Sequence, residues 1–146
     1  MSERMSAAEY RALKNAEQKS ANKFGAKRVW ICRRCDGPAH SDRCLSCGSV
    51  KIQQFDSKAE AGRYHELRLK ERLKEIKRLE CQPRFPLSVK GELVGRYYGD
   101  FQYIDGDGVT VVEDVKGGKA TDTPLSKFKR KLVHAIYGIE VQVVRR

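Results

Sequence analysis

Two Cys-x-x-Cys pairs, Cys32-Arg33-Arg34-Cys35 and Cys44-Leu45-Ser46-Cys47, lie within sixteen residues of each other. Two such turns can present four thiolates to one tetrahedral ion, for which Zn²⁺ is the usual occupant. Gly48 follows the second pair and permits the tight turn that a knuckle needs. A four-thiolate site is closed, so it reads as structural rather than catalytic. The ion would fold a segment too small to bury its own core. Val29-Trp30-Ile31 and the run Val50 to Phe55 flank it and read as strands, which predicts a hairpin tipped by a metal-bound loop. His40 lies between the pairs and is expected at the surface, because four thiolates already suffice. The fifth cysteine, Cys81, stands apart and is expected to be a small buried hydrophobe. This usage fits a reducing cytoplasm and not a disulfide framework.

The 146-residue chain carries 30 Lys+Arg against 19 Asp+Glu, a formal net charge of +11. The excess is spread along the chain, which suggests a binding surface for a polyanion, most often nucleic acid. Arg33, Arg34 and Arg43 in the cysteine segment are candidate phosphate contacts. The same segment also suits a stabilising clip or a platform for protein contacts. No apolar run of about 18 residues is present, so no membrane span is expected. The N-terminus lacks the apolar core of a signal peptide.

The periodicity divides the chain into a basic N-terminal arm (1–28), the cysteine hairpin (29–54) and a main domain (55–146). In the arm, Ser6 to Glu9 fits a capping box for a short helix through about Gln18. In the main domain, Ser57 to Glu60 is a second capping box and opens a helix over 57–79. Tyr64, Leu67, Leu69, Leu73, Ile76 and Leu79 supply its apolar stripe, and Arg63, Arg68, Arg72 and several lysines a basic exterior. A strand over 80–90 is interrupted by Pro83 and Pro86. Strands over 96–104 and 109–116 are joined by Asp105-Gly106-Asp107-Gly108, a turn signal without the ligand pattern of a calcium loop. A second helix over 124–137 has Thr123 as cap, Pro124 at its first position and Gly138 at its end. Its buried stripe is predicted to be Leu125, Phe128, Leu132, Ala135 and Ile136. A strand over 139–144 closes the chain.

Acidic groups are kept in the middle of this basic chain. Strand alternation puts Asp114 and Lys116 on one face and Glu113 on the other. Carboxylates that hold Mg²⁺ beside a lysine suit phosphodiester hydrolysis. A three-residue turn at 106–108 with Gly108 left-handed sets Asp100 opposite Asp114. A two- or four-residue loop sets it opposite Glu113 instead. The converging lysine favours Asp114, with Glu113 as the alternative. Glu60 is a further candidate ligand, although its place in the capping box gives it another use. On the second helix, Lys127 with Lys131 and Arg130 with His134 form two basic rows, extended by Lys129, for phosphate contacts. No base-reading motif is evident, which points to recognition of backbone or structure. Tyr97, Tyr98 and Tyr103 read as core or sheet-face residues.

The predicted helix–strand–strand–strand–helix–strand order, with Asp100 on one core strand and Asp114-Val115-Lys116 on the next, resembles the PD-(D/E)XK nuclease superfamily. Phe55 to Ala61, Gln82 to Leu87, Tyr98-Gly99-Asp100-Phe101, Val112 to Gly117, Lys129 to Leu132 and Tyr137-Gly138-Ile139 look like a family of small phage and prophage endonucleases. The resemblance covers residues 55–146. It implies an α+β, restriction-endonuclease-like core and a DNA endonuclease dependent on Mg²⁺ or Mn²⁺ that acts on branched DNA in the manner of a Holliday junction resolvase. It supports Glu60, Asp100, Asp114 and Lys116 as site residues. The three carboxylates are expected to hold the ion, with the Val115 carbonyl as a further ligand and Lys116 at the attacking water. It also implies a phage or prophage protein in the bacterial cytoplasm, compatible with a homodimer. Gly99 departs from the name-giving proline, and the cysteine hairpin looks like an insertion. Two rivals are a non-catalytic zinc-containing DNA-binding protein and an assembly factor that uses the hairpin for protein contacts.

Overall fold

The computed structural model describes residues 26–118 and 121–146. The expected N-terminal helix lies outside the described residues. Among the described residues the fold is mixed α+β, with two helices, a mixed sheet and a cluster of four cysteines. In chain order the elements are β1 (Val29–Cys32), β2 (Ile52–Phe55), α1 (Lys58–Arg72), β3 (Lys77–Cys81), β4 (Arg84–Val89), β5 (Glu92–Tyr98), β6 (Phe101–Ile104), β7 (Thr110–Lys116), α2 (Pro124–Tyr137) and β8 (Val141–Arg145). The main sheet has the order β3-β6-β7-β8, with β7 and β8 parallel and the other pairs antiparallel. The pairs β1-β2 and β4-β5 form two smaller antiparallel sheets.

The first helix is shorter than its periodicity predicts. It stops at Arg72, and residues 77–81 pair with β6 instead. Lys74 turns left-handed with φ 62°, and the Glu71 carboxylate accepts the Leu79 backbone N–H at 3.0 Å. Lys74 to Glu80 has good helical propensity, but a tertiary strand partner overrides it. Leu69 and Leu73 consequently remain exposed, while Ile76 is buried from outside the helix. Arg63 and Arg68, expected on the exterior, turn inward to buried carboxylates.

The two strands expected over 80–90 and 96–104 each break once. Pairing nevertheless continues across the breaks. Cys81 opposes Phe101, the Gln82 N–H donates to the Asp100 carbonyl, Gly99 N–H donates to the Pro83 carbonyl, and Arg84 opposes Tyr98. The result is one bent ribbon, with its inner half in the main sheet and its outer half forming β4-β5. Asp100 sits at the bend. A Cβ on Gly99 would meet Val112 Cγ1 at 3.0 Å and Pro83 Cγ at 3.2 Å. Glycine is therefore the residue that lets the backbone pass this close.

β7 is buried along both faces and separates two apolar cores. Val111 and Val115 face one core with Ile31, Phe55, Tyr64, Leu67 and Phe101. Val112 faces the other with Phe85, Leu87, Tyr97 and Val133. The first core contains residues of β1, β2 and α1, so the cysteine hairpin packs as part of the main body. The expected stripe of α2 is corrected. Val133 is fully buried, whereas Leu125, Phe128, Ala135 and Ile136 are exposed. The helix meets the β4-β5 ribbon through another edge, where the Tyr137 hydroxyl donates to the Pro86 carbonyl at 2.6 Å.

Candidate metal and active sites

The four cysteine sulfurs lie within 4.8 Å of one another. Sγ–Sγ distances are 3.6 Å for Cys32–Cys47 and 3.5 Å for Cys35–Cys44. A tetrahedral ion with metal–sulfur bonds of about 2.3 Å needs edges of roughly 3.8 Å, so the donor set fits Zn²⁺. Backbone N–H groups of Cys47 and Ser46 point at the Cys44 sulfur, and that of Arg34 at Cys32. The Cys47 N–H leads in drawing the Cys44 thiol down to about 6. This favours the thiolate at Cys44. At Cys35 the Gly37 N–H draws the thiol down, but the Cys44 sulfur, burial and the other two sulfurs together push it up to about 12. Arg33, Arg34, His40 and Arg43 are exposed around the site. Asp36 faces the other way, with its carboxylate paired to Arg68 at 3.1 Å and to Arg72, and with Tyr64 donating to it. These contacts clamp the knuckle to α1. Cys81 is half-buried against the main core, and burial pushes its thiol up to about 11.

The second site depends on strand register. Phe101 opposes Glu113 and Ile104 opposes Thr110. Asp105 N–H donates to the Val109 carbonyl at 3.0 Å, and Gly108 has φ 81°. The connection is thus the three-residue turn over 106–108 with Gly108 left-handed, and Asp100 falls level with Asp114. The Asp105 carboxylate accepts the N–H groups of Asp107 and Val109 and holds the turn.

Glu60, Asp100, Asp114 and Lys116 line one cleft of about 610 Å³. Its walls are the start of α1, the bend of the ribbon, the end of β7 and the start of α2. Asp100 Oδ2 accepts the Val115 N–H at 2.6 Å. Burial, reinforced by the negative charge of Glu60, raises the Asp100 carboxyl to about 8. Burial also raises Glu60. Glu60 forms the capping box as well, since Ser57 donates to it at 3.0 Å and the Asp56 N–H at 3.2 Å. Asp114 pairs with Lys116 at 2.8 Å and with Arg130 at 3.2 Å, and it accepts the Tyr97 hydroxyl at 3.2 Å. These contacts engage both oxygens of Asp114. Among the described residues, the four cysteines are the group whose ligand atoms converge within 4.8 Å. Carboxylates of this type suit a hard cation.

Glu113 takes the opposite face of β7. Its carboxylate receives two Arg63 N–H groups, at 2.8 and 2.6 Å, and the Tyr103 hydroxyl at 2.6 Å. The alternative assignment of Glu113 to the cleft is therefore set aside. Arg130 is also corrected. It is mostly buried, and it bridges Asp114 to Asp122 at 2.8 Å rather than standing in an outer basic row. Ser126 and Arg130 are four apart on α2, and Asp122 lies just before the Thr123 cap; this spacing was the available signal. Lys127, Lys131 and His134 remain exposed.

The site thus belongs to a mixed α+β chain with an acidic cleft and a separate four-thiol cluster. Residues 48–144 match the model of a family described as protein of unknown function (DUF1064). The chain belongs to this family. The match contains Glu60, Asp100, Asp114 and Lys116 but begins just after Cys47, so the four thiols lie outside it. No curated protein and no solved structure matches the chain.

Proposed function

We propose that this protein is a Mg²⁺- or Mn²⁺-dependent DNA endonuclease with a restriction-endonuclease-like core and a structural Zn²⁺ in its cysteine hairpin. The observation that carries this reading is the meeting of Glu60, Asp100, Asp114 and Lys116 in one cleft of a strongly basic chain. Glu60, Asp100 and Asp114, with the Val115 carbonyl, are the groups to hold the cation. When bound, it supplies Lewis acidity at the phosphodiester and lowers the pKa of a water. Lys116 is suited to orient the attacking water and to face negative charge developing on phosphate. Arg130, fixed by Asp122, holds Asp114 in place. The exposed Arg33, Arg34, Arg43, Lys127 and Lys131 are candidates to neutralise the DNA backbone.

A non-catalytic DNA-binding protein is the second reading, favoured by the two cations that already neutralise Asp114. Incubation with linear, nicked, flapped and four-way DNA in Mg²⁺ or Mn²⁺ separates the two. Cleavage of any of these supports the nuclease, and tight binding without cleavage supports the binding protein.

A further inference from the structure

Exposed apolar side chains are set among cations around the mouth of the acidic cleft. Tyr98 lines the cleft two residues before Asp100, and its side chain remains 55% exposed. The Arg84 guanidinium lies 5.5 Å from its ring centroid. Across the cleft, Leu125 and Lys129 line the wall from α2. Leu125 is 62% exposed, and Phe128, on the same helix face, is 58% exposed. Arg96 contributes a further cation to the lining.

This mixture selects among polyanions. Duplex DNA offers its phosphates outward and keeps its base faces stacked inside. Its surface would satisfy the cations and leave Tyr98, Leu125 and Phe128 without partners. An unpaired strand offers both phosphate charge and open base faces, and aromatic rings beside basic groups are the general means of binding it. A second copy of this chain would set a +11 body against another of the same charge and place lysine-rich helices face to face. Charge complementarity therefore favours the nucleic acid.

We infer that the cleft mouth binds unpaired nucleotides of single-stranded DNA, with Tyr98 stacking on a base and Leu125 and Phe128 packing against its neighbours. This rests on the nuclease reading for the choice of DNA and narrows its substrate to DNA with an unpaired segment at the cutting site.

Fluorescence anisotropy with a labelled oligo(dT) strand and a duplex of equal length, without added divalent cation, tests binding apart from cleavage. Wild-type protein is expected to prefer oligo(dT). Tyr98→Ala and Phe128→Ala should each weaken that binding about tenfold, with little effect on duplex, and Tyr98→Phe should restore it. Both side chains are exposed, so melting temperatures should be unchanged. Equal or tighter duplex binding, equal losses on both DNAs, no loss in either alanine variant, or no DNA binding at all overturns the inference. The two readings fail separately. Ring-dependent oligo(dT) binding without cleavage of any DNA removes the nuclease alone. Cleavage of intact duplex by wild type and ring variants alike removes the stacking role alone.

Discussion

Asp100 and Val115 are joined by a 2.6 Å hydrogen bond from the Val115 backbone N–H to the Asp100 carboxylate. The bond fastens the ribbon bend to the link between Asp114 and Lys116. It orients Asp100 through one of its two oxygens. The same burial that fixes Asp100 disfavours its charge.

A pH dependence follows. The Asp100 carboxyl rises from an ordinary 3.8 to about 8 in the folded, cation-free protein. Between those values the folded state holds a proton that the unfolded state has released. Stability from this group is therefore greatest at low pH and declines as pH rises towards 8, by up to about 1.4 kcal/mol per unit. Urea unfolding of zinc-loaded, magnesium-free protein from pH 5.5 to 8.5 should show this decline, and Asp100→Asn should flatten it. Mg²⁺ should raise the stability of wild type at pH 8 more than that of Asp100→Asn.

Glu113 is expected to act in stability. Removing one partner of a buried, hydrogen-bonded ion pair costs about 3–5 kcal/mol. Glu113→Ala should lose about that much in chemical denaturation by stranding Arg63. Folded Glu113→Ala at low temperature should retain cation-dependent cleavage.

Zinc removal should affect the whole body. Ile31 and Phe55 share a core with α1 and β6, and Asp36 ties the knuckle to Arg68. Metal analysis should find about one zinc per chain. Cys44→Ser should lower the single calorimetric transition, whereas a hairpin folding independently would melt in a separate step.

The exposed lysines of α2 and its buried arginine should behave differently. Lys127→Ala with Lys131→Ala should reduce the salt dependence of DNA binding, by about 0.9 in log–log slope for each lost duplex phosphate contact. Arg130→Ala should leave that slope nearly unchanged and reduce cleavage, because its guanidinium is spent on Asp114 and Asp122.

The site's register was only partly legible in the sequence. Gly108 suits a three-residue turn, but a two- or four-residue loop fits the same residues, and the converging Lys116 was what favoured Asp114. The observed pairing brings Asp100 level with Asp114. The four thiols were legible, because their spacing is local. Other features depended on tertiary partners. Residues 74–79 read as helix, and β6 supplies strand pairing to 77–81. The bend at Gly99 depends on contact with Val112, which lies distant in sequence. The face of α2 depends on tertiary contacts as well: Leu125 of its apolar stripe borders the cleft, while Arg130, expected at the surface, turns inward to Asp114.

Cation-dependent cleavage by wild type, Asp114→Asn and Lys116→Ala, alongside DNA binding by each, tests the central claim most directly. Wild type should cut in Mg²⁺ or Mn²⁺, and both variants should bind DNA but lose cutting by at least about a hundredfold. Normal cutting by both variants would contradict the site, and a wild type that binds DNA without cutting any would contradict the nuclease.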